Sequence, residues 1–233
     1  MRWIRKQNEP RQLTEWRLKY KKDPNLGYEL LRKNKEAIAA VHFSLLEEQG
    51  YLCAYTGTGI DENSSHIEHI KPQTHCQPIE TVTYTNIVAC CPGANKPDPP
   101  YGAKKKDHWP SPAEAHLFVS PLEPSCESKF RYAKNGEIKY QAGDLAAQIT
   151  IKKLGLNHKL LIATRKATIQ GVLGKTNNLS LKDAKQRLKQ LQNQNSGKLE
   201  PFCFVIIQAL EKYIKSIEFR RAQKQIQSKK TKK

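Results

Sequence analysis

Ser65-His66-Ile67-Glu68-His69-Ile70-Lys71-Pro72-Gln73, followed by Thr85-Asn86-Ile87-Val88-Ala89-Cys90-Cys91-Pro92-Gly93-Ala94-Asn95-Lys96, is the stretch that decides how this chain is read. It sets a carboxylate beside a histidine, an asparagine in the loop that follows, and a second asparagine just past a short apolar run. From Tyr51 to about Tyr101 the apolar pieces are short and separated by Gly, Pro, Asn and Ser, which predicts strands and loops. Neighbours on a strand point to opposite faces, so Glu68 and His69 share one site only where the strand twists or ends. Pro72, three residues on, supplies that ending.

This combination suits metal-assisted cutting of a phosphodiester. The reaction needs a base for the attacking water, charge relief on the phosphoryl oxygens and leaving group, and correct positioning. His69 is read as the general base, because an imidazole with an ordinary pKa of about 6.5 is largely neutral yet basic near neutral pH. Glu68 is read as a ligand for Mg²⁺ or Mn²⁺, hard ions that take oxygen donors and keep several waters. Asn86 is assigned to hold the loop and, through it, the imidazole orientation. His66 lies on the strand face of Glu68 by alternation and is read as structural or solvated, with metal ligation or a phosphate contact as the alternative. Cys90 and Cys91 end an apolar run and read as core thiols. Lys71, Lys104, Lys105 and Lys106 flank the centre and are the candidate nucleic-acid contacts, against the alternative of a solvated loop.

Outward from this block the chain becomes helical. Asn34 caps a predicted helix with Ile38, Val41 and Leu45 on one face, stopping at Gln49-Gly50. The first 35 residues are polar and basic with scattered aromatics, which reads as an arm or a partly ordered extension. Asn135-Gly136 between aromatic-containing runs predicts a hairpin. Asn157 is expected to cap a helix with Leu160, Leu161, Ile169 and Val172, and Ser180 with Asp183 to open another. A last helix is expected from about Phe202, followed after Phe219 by a mobile tail with basic but no acidic residues.

At 233 residues the chain is long enough to bury a core without disulfides. Its 40 Lys and Arg against 22 Asp and Glu leave a net charge of +18, which favours a polyanionic partner, nucleic acid first. The six cysteines form no C-x-x-C pair and Met1 to Lys6 has no apolar core after it, so a cytoplasmic protein with free thiols is expected. Phe202 to Ile207 is far short of the roughly 20 apolar residues of a membrane span, so no membrane insertion is expected.

Taken in order, Glu68-His69, Asn86 and Asn95-Lys96 resemble the HNH, or ββα-metal (His-Me finger), nuclease family. Met1 to Lys6, Leu45 to Gly57, Ile67 to Gln73, Ser120-Pro121-Leu122 with Cys126-Glu127, and Leu154 to His158 resemble more closely the PtuB family of HNH subunits from Septu-type antiphage systems, similar proteins of which accompany some retrons. The resemblance spans roughly Met1 to Leu173. It implies a bacterial endonuclease acting on DNA, and an SMC- or ABC-like ATPase partner of the PtuA kind. It also suggests a retron reverse transcriptase with its msDNA as further partners. It implies a third motif residue that helps Glu68 hold the ion, with Asn95 the first choice and Asp107 the second. Thr56 and Ala94 stand where two C-x-x-C knuckles of the wider family would close, which argues against four-thiolate zinc. A mixed site of Cys53, Cys90 or Cys91 with a histidine stays open.

The expected architecture is α+β: an N-terminal arm and helix over 1–50, a ββα-metal nuclease core over 51–110, and a mainly helical region with a basic tail over 111–233. Two other functions compete with the DNA endonuclease. One is an adaptor that binds nucleic acid without cutting it, and the other is an HNH nuclease acting on RNA, since no residue recognisably reads a base edge or a 2′-hydroxyl.

Overall fold

A computed structural model describes residues 1–94, 96–174, 178–194 and 197–230, the side chains of 228–230 excepted. Three helices open the chain, α1 (Arg11–Tyr20), α2 (Tyr28–Lys33) and α3 (Lys35–Glu48). Asn34 caps α3 as its sequence position predicts, its side-chain oxygen accepting from the Ala37 N–H at 2.9 Å. Val41, Leu45 and Leu46 then lie fully buried on the core face. The first 35 residues are more ordered than a polar, basic composition suggests. α1 packs on α3 through Leu13 and Trp16, α2 adds Leu31, and Met1 and Ile4 join the same core.

The strands β1 (His66–His69) and β2 (Ile87–Cys90) form a two-stranded antiparallel ladder with Glu68 opposite Val88 and His69 opposite Ile87. β2 is buried along its whole length. Gln49, at the end of α3, fixes where β2 sits. Its buried amide donates to the carbonyls of Leu52 (2.8 Å) and Ala89 (2.9 Å) and accepts from the Ala89 N–H (2.7 Å). The end of α3 and β2 are thereby locked in one register, because each of these bonds satisfies a buried polar group. Beyond β2, Gly93 passes so close to the backbone of Asn63 that a Cβ would stand 2.0 Å from its carbonyl oxygen, which admits only glycine.

Short helices α4 (Ala103–Lys106) and α5 (Cys126–Lys129) lead to the hairpin β3 (Arg131–Tyr132) and β4 (Ile138–Lys139), turned at Asn135-Gly136 as expected. Gly136 has φ +88° and presses on the next helices, where a Cβ would meet the Ile162 carbonyl oxygen at 2.1 Å. The remainder is α6 (Leu145–Lys153), α7 (Lys159–Leu173), α8 (Leu181–Asn193) and α9 (Cys203–Lys230). Two expectations change here. The cap of α7 is His158, whose ring nitrogen accepts from the Leu160 N–H, because the Asn157 amide is engaged with both backbone groups of Ile138. The expected mobile tail is helical, since α9 runs on to Lys230 with Phe219 and Ile226 exposed. Ser180 opens α8 as predicted, accepting from the Asp183 N–H.

The fold is α+β, with small antiparallel sheets among helices. Among the described residues no helix is long and apolar enough to cross a membrane.

Candidate active site

A cleft of about 280 Å³ lies between β1 and α4, lined by His66, Glu68, His69, Lys106, Asp107 and His108 among others. Glu68 and His69 both reach it because His69 is the last residue of β1, where the strand's strict alternation stops.

The His69 ring is almost fully buried, edge-on to the Tyr28 ring with centroids 4.7 Å apart. Its Nε2 lies 2.8 Å from the Thr81 carbonyl oxygen. A carbonyl only accepts, so Nε2 carries the proton and donates, which leaves the lone pair on Nδ1. Burial pulls the imidazole below its ordinary pKa, and the Thr81 carbonyl and the Glu68 carboxylate offset this only in part. The site therefore holds a neutral, oriented imidazole.

Thr81 sits in the loop from Ile70 to Asn86, and Asn86 closes that loop. Its side-chain oxygen accepts from the Lys71 N–H at 2.9 Å, and its amide donates to the carbonyls of Lys71 and Glu80, each at 3.3 Å. The amide thus joins the end of β1 to the residue before Thr81. If the centre cuts phosphodiesters as its sequence implies, Asn86→Ala should slow that cleavage by up to about 10²-fold through loss of imidazole positioning. The check is single-turnover cleavage beside thermal melting, which should show only a modest stability loss. An unchanged rate would remove Asn86 from the machinery.

The Glu68 carboxylate is mostly buried and its two oxygens differ. Oε1 lies 3.0 Å from the Lys106 ammonium and 3.4 Å from the Tyr55 hydroxyl, which donates to it. Burial and the Glu68 charge hold the Tyr55 phenol well above its ordinary pKa, so it stays a donor. Oε2 faces Nε2 of His66 at 3.8 Å. Burial lowers the His66 pKa, but Glu68 and the Pro92 carbonyl more than offset it, and the net shift is upward.

The lysines expected to contact nucleic acid fall into different places. Lys106 is 2% exposed and bonds the His69 carbonyl oxygen at 2.8 Å as well as Glu68, so it is part of the centre and not a surface guide. Lys71 pairs with Glu80 at 2.7 Å and Lys104 with Asp98 at 3.2 Å, which lowers the free positive charge that each presents. Lys105 is exposed. Asp107 lines the cleft, yet its side chain is 71% exposed and faces His108 at 3.6 Å. Asn95 lies outside the described residues.

Cys53 and Cys91 approach to 3.5 Å between sulfurs, beside the hydroxyls of Thr56 and Thr58, with Cys90 buried next to them. Sequence reading did not anticipate Tyr55 or the burial of Lys106. The spacing of Ala103 and Lys106, three apart and both inward on α4, is the one signal that separates Lys106 from Lys104 and Lys105.

No family model matches the sequence. A protein of Vibrio cholerae serotype O1 biovar El Tor named "Retron Vc95 putative HNH endonuclease" is 33% identical over 132 residues, which is 54% of this chain. The two are relatives. The chain spans 61% of the relative's length. This likeness supports a nuclease of the HNH kind, and the α+β architecture is consistent with an HNH domain.

Proposed function

We propose that this chain is a divalent-metal-dependent HNH endonuclease that hydrolyses phosphodiester bonds of DNA in the bacterial cytoplasm. The observation that carries this reading is the His69 imidazole, fixed by the Thr81 carbonyl with Nδ1 left as acceptor, in the same cleft as Glu68. In this role Nδ1 takes a proton from the attacking water while Asn86 keeps the loop, and hence the ring, in place.

The donor set fits a hard divalent ion. Glu68 has one oxygen not engaged by Lys106 or Tyr55, and among the described residues no three His, Cys, Asp or Glu side chains cluster tightly enough to enclose a metal. One carboxylate with few protein partners is how Mg²⁺ or Mn²⁺ is commonly held, the remaining positions going to water and phosphate. When bound, such an ion relieves charge on the phosphoryl oxygens and the leaving oxygen. Lys106 and Tyr55 fix the rotamer of Glu68, and Lys106 also ties that carboxylate to the His69 backbone.

The retron in the relative's name supports nucleic acid as the target and a setting beside a reverse transcriptase and its msDNA. The net charge of +18 also supports a polyanionic target, while the reading of an antiphage effector governed by an SMC- or ABC-like ATPase rests on the sequence resemblance to PtuB-type subunits. The adaptor reading draws on a single feature: an ammonium already compensates Glu68, as expected of a centre that no longer needs an ion.

Supercoiled plasmid and a structured RNA, each incubated with Mg²⁺ or Mn²⁺ and with chelator, separate these readings. The protein should be assayed alone and with an SMC- or ABC-like ATPase of the kind proposed as its partner. Nicking of plasmid that stops in chelator is the expected result. DNA binding without cutting under every condition would establish the adaptor, and cutting confined to RNA would reassign the substrate.

A further inference from the structure

The two faces of the His66 ring are in unlike company. Nδ1 lies 2.6 Å from the Pro92 carbonyl oxygen, an atom that cannot donate, so the ring proton belongs on Nδ1 and the lone pair of the neutral ring on Nε2. That lone pair faces Glu68 Oε2 at 3.8 Å, too far for a hydrogen bond. The other carboxylate oxygen is already taken by Lys106 and Tyr55. An electron pair on nitrogen and an anionic oxygen thus converge across a gap that two metal–donor bonds of about 2.0–2.2 Å can span. A carbonyl holding the far nitrogen of an imidazole is also the usual way in which a ligating histidine is oriented.

We propose that His66 Nε2 and Glu68 Oε2 are the paired protein ligands of the divalent ion, so that its site is a mixed imidazole–carboxylate centre. The inference rests on the nuclease reading above. It gives His66 a role in place of the structural or solvated one, and puts it where Asn95 or Asp107 was expected. It also carries a specificity: imidazole nitrogen favours the later first-row ions Co²⁺ and Ni²⁺ over Mg²⁺, with Mn²⁺, the weakest nitrogen binder of that series, between them. Lys106 contributes by engaging Oε1, so that the carboxylate offers the oxygen on the His66 side.

The test uses the full chain without nucleic acid. Mn²⁺ is titrated by electron paramagnetic resonance, with pulsed measurements to detect ¹⁴N coupling. Wild type should bind Mn²⁺ with nitrogen coupling. His66→Ala should lose that coupling and at least roughly tenfold in affinity, while Asp107→Asn changes neither. His66→Gln, which keeps a donor for the Pro92 carbonyl, serves as the folded control and should also lose the coupling. Persistence of the coupling in both His66 variants, or loss of affinity in Asp107→Asn alone, would overturn the assignment. Mn²⁺ binding that needs Glu68 but shows no nitrogen in wild type overturns the His66 role and leaves the nuclease reading standing. No Mn²⁺ binding in wild type, with Glu68→Gln indistinguishable from it, would overturn both.

Discussion

His69→Ala should lower the rate of plasmid cleavage by roughly 10²- to 10⁴-fold, the range that a positioned general base contributes. The expectation follows from the lone ring nitrogen left as acceptor once Nε2 donates to the Thr81 carbonyl. His69→Gln sharpens the test, because its amide can still donate to that carbonyl but has no basic nitrogen, so it should fold and be equally slow. The pH profile gives a second reading of the same residue. A general base works deprotonated, so the rate falls as acid protonates it. Burial moves the His69 pKa below its ordinary value, so the acid limb of kcat/KM should lie below about pH 6.5. Cleavage by His69→Gln at the wild-type rate, or an acid limb well above that pH, would take His69 out of the mechanism.

The parts that sequence reading recovered are those where a local rule and the tertiary environment agree. Asn34 and Ser180 cap because their side chains meet the N–H groups that their positions predict, and the apolar face of α3 has nowhere to go but the core. β1 and β2 were legible from composition, and the sharing of one cleft by Glu68 and His69 from the nearby proline. The N-terminal helices were not, because α1 fully buries only Leu13 and Trp16 and leaves Leu18 exposed, a stripe too narrow to stand out. Lys106 was misplaced for a related reason. Three consecutive lysines look alike in sequence, and only the short helix turns one of them inward, where Glu68 and a backbone carbonyl receive its charge. The His66 tautomer depends on the Pro92 carbonyl, 26 positions away, a contact no local pattern encodes.

The largest expected loss of stability lies outside the cleft, at Arg165. Arg165 lies four residues from both Leu161 and Ile169 on the inward face of α7 and is 1% exposed. Its Nε donates to the Gly136 carbonyl at 2.6 Å, and one terminal nitrogen donates to the Leu156 carbonyl at 2.8 Å and to the Asn157 side-chain oxygen at 3.3 Å. Burial lowers its pKa to about 10, which keeps it charged at neutral pH. Its hydrogen-bond partners are all neutral, so the guanidinium is held by carbonyl and amide dipoles from the hairpin turn and the α6–α7 loop. Arg165→Ala would take the guanidinium donors from the Gly136 and Leu156 carbonyls, leave the Asn157 oxygen only the Ile138 N–H, and open a cavity the size of a long side chain. The combined cost is about 3–5 kcal/mol. Arg165→Lys keeps the charge but cannot reach three acceptors with one nitrogen in the geometry of a planar fork, so it should fall between the two. Urea unfolding reads this directly: the midpoint should drop with little change in slope. Because Arg165 does not line the cleft, cleavage per folded molecule should stay at the wild-type level. A loss under about 1 kcal/mol in Arg165→Ala would mean that water satisfies those carbonyls as well as the guanidinium does, and that the hairpin is held to α7 by its apolar contacts alone.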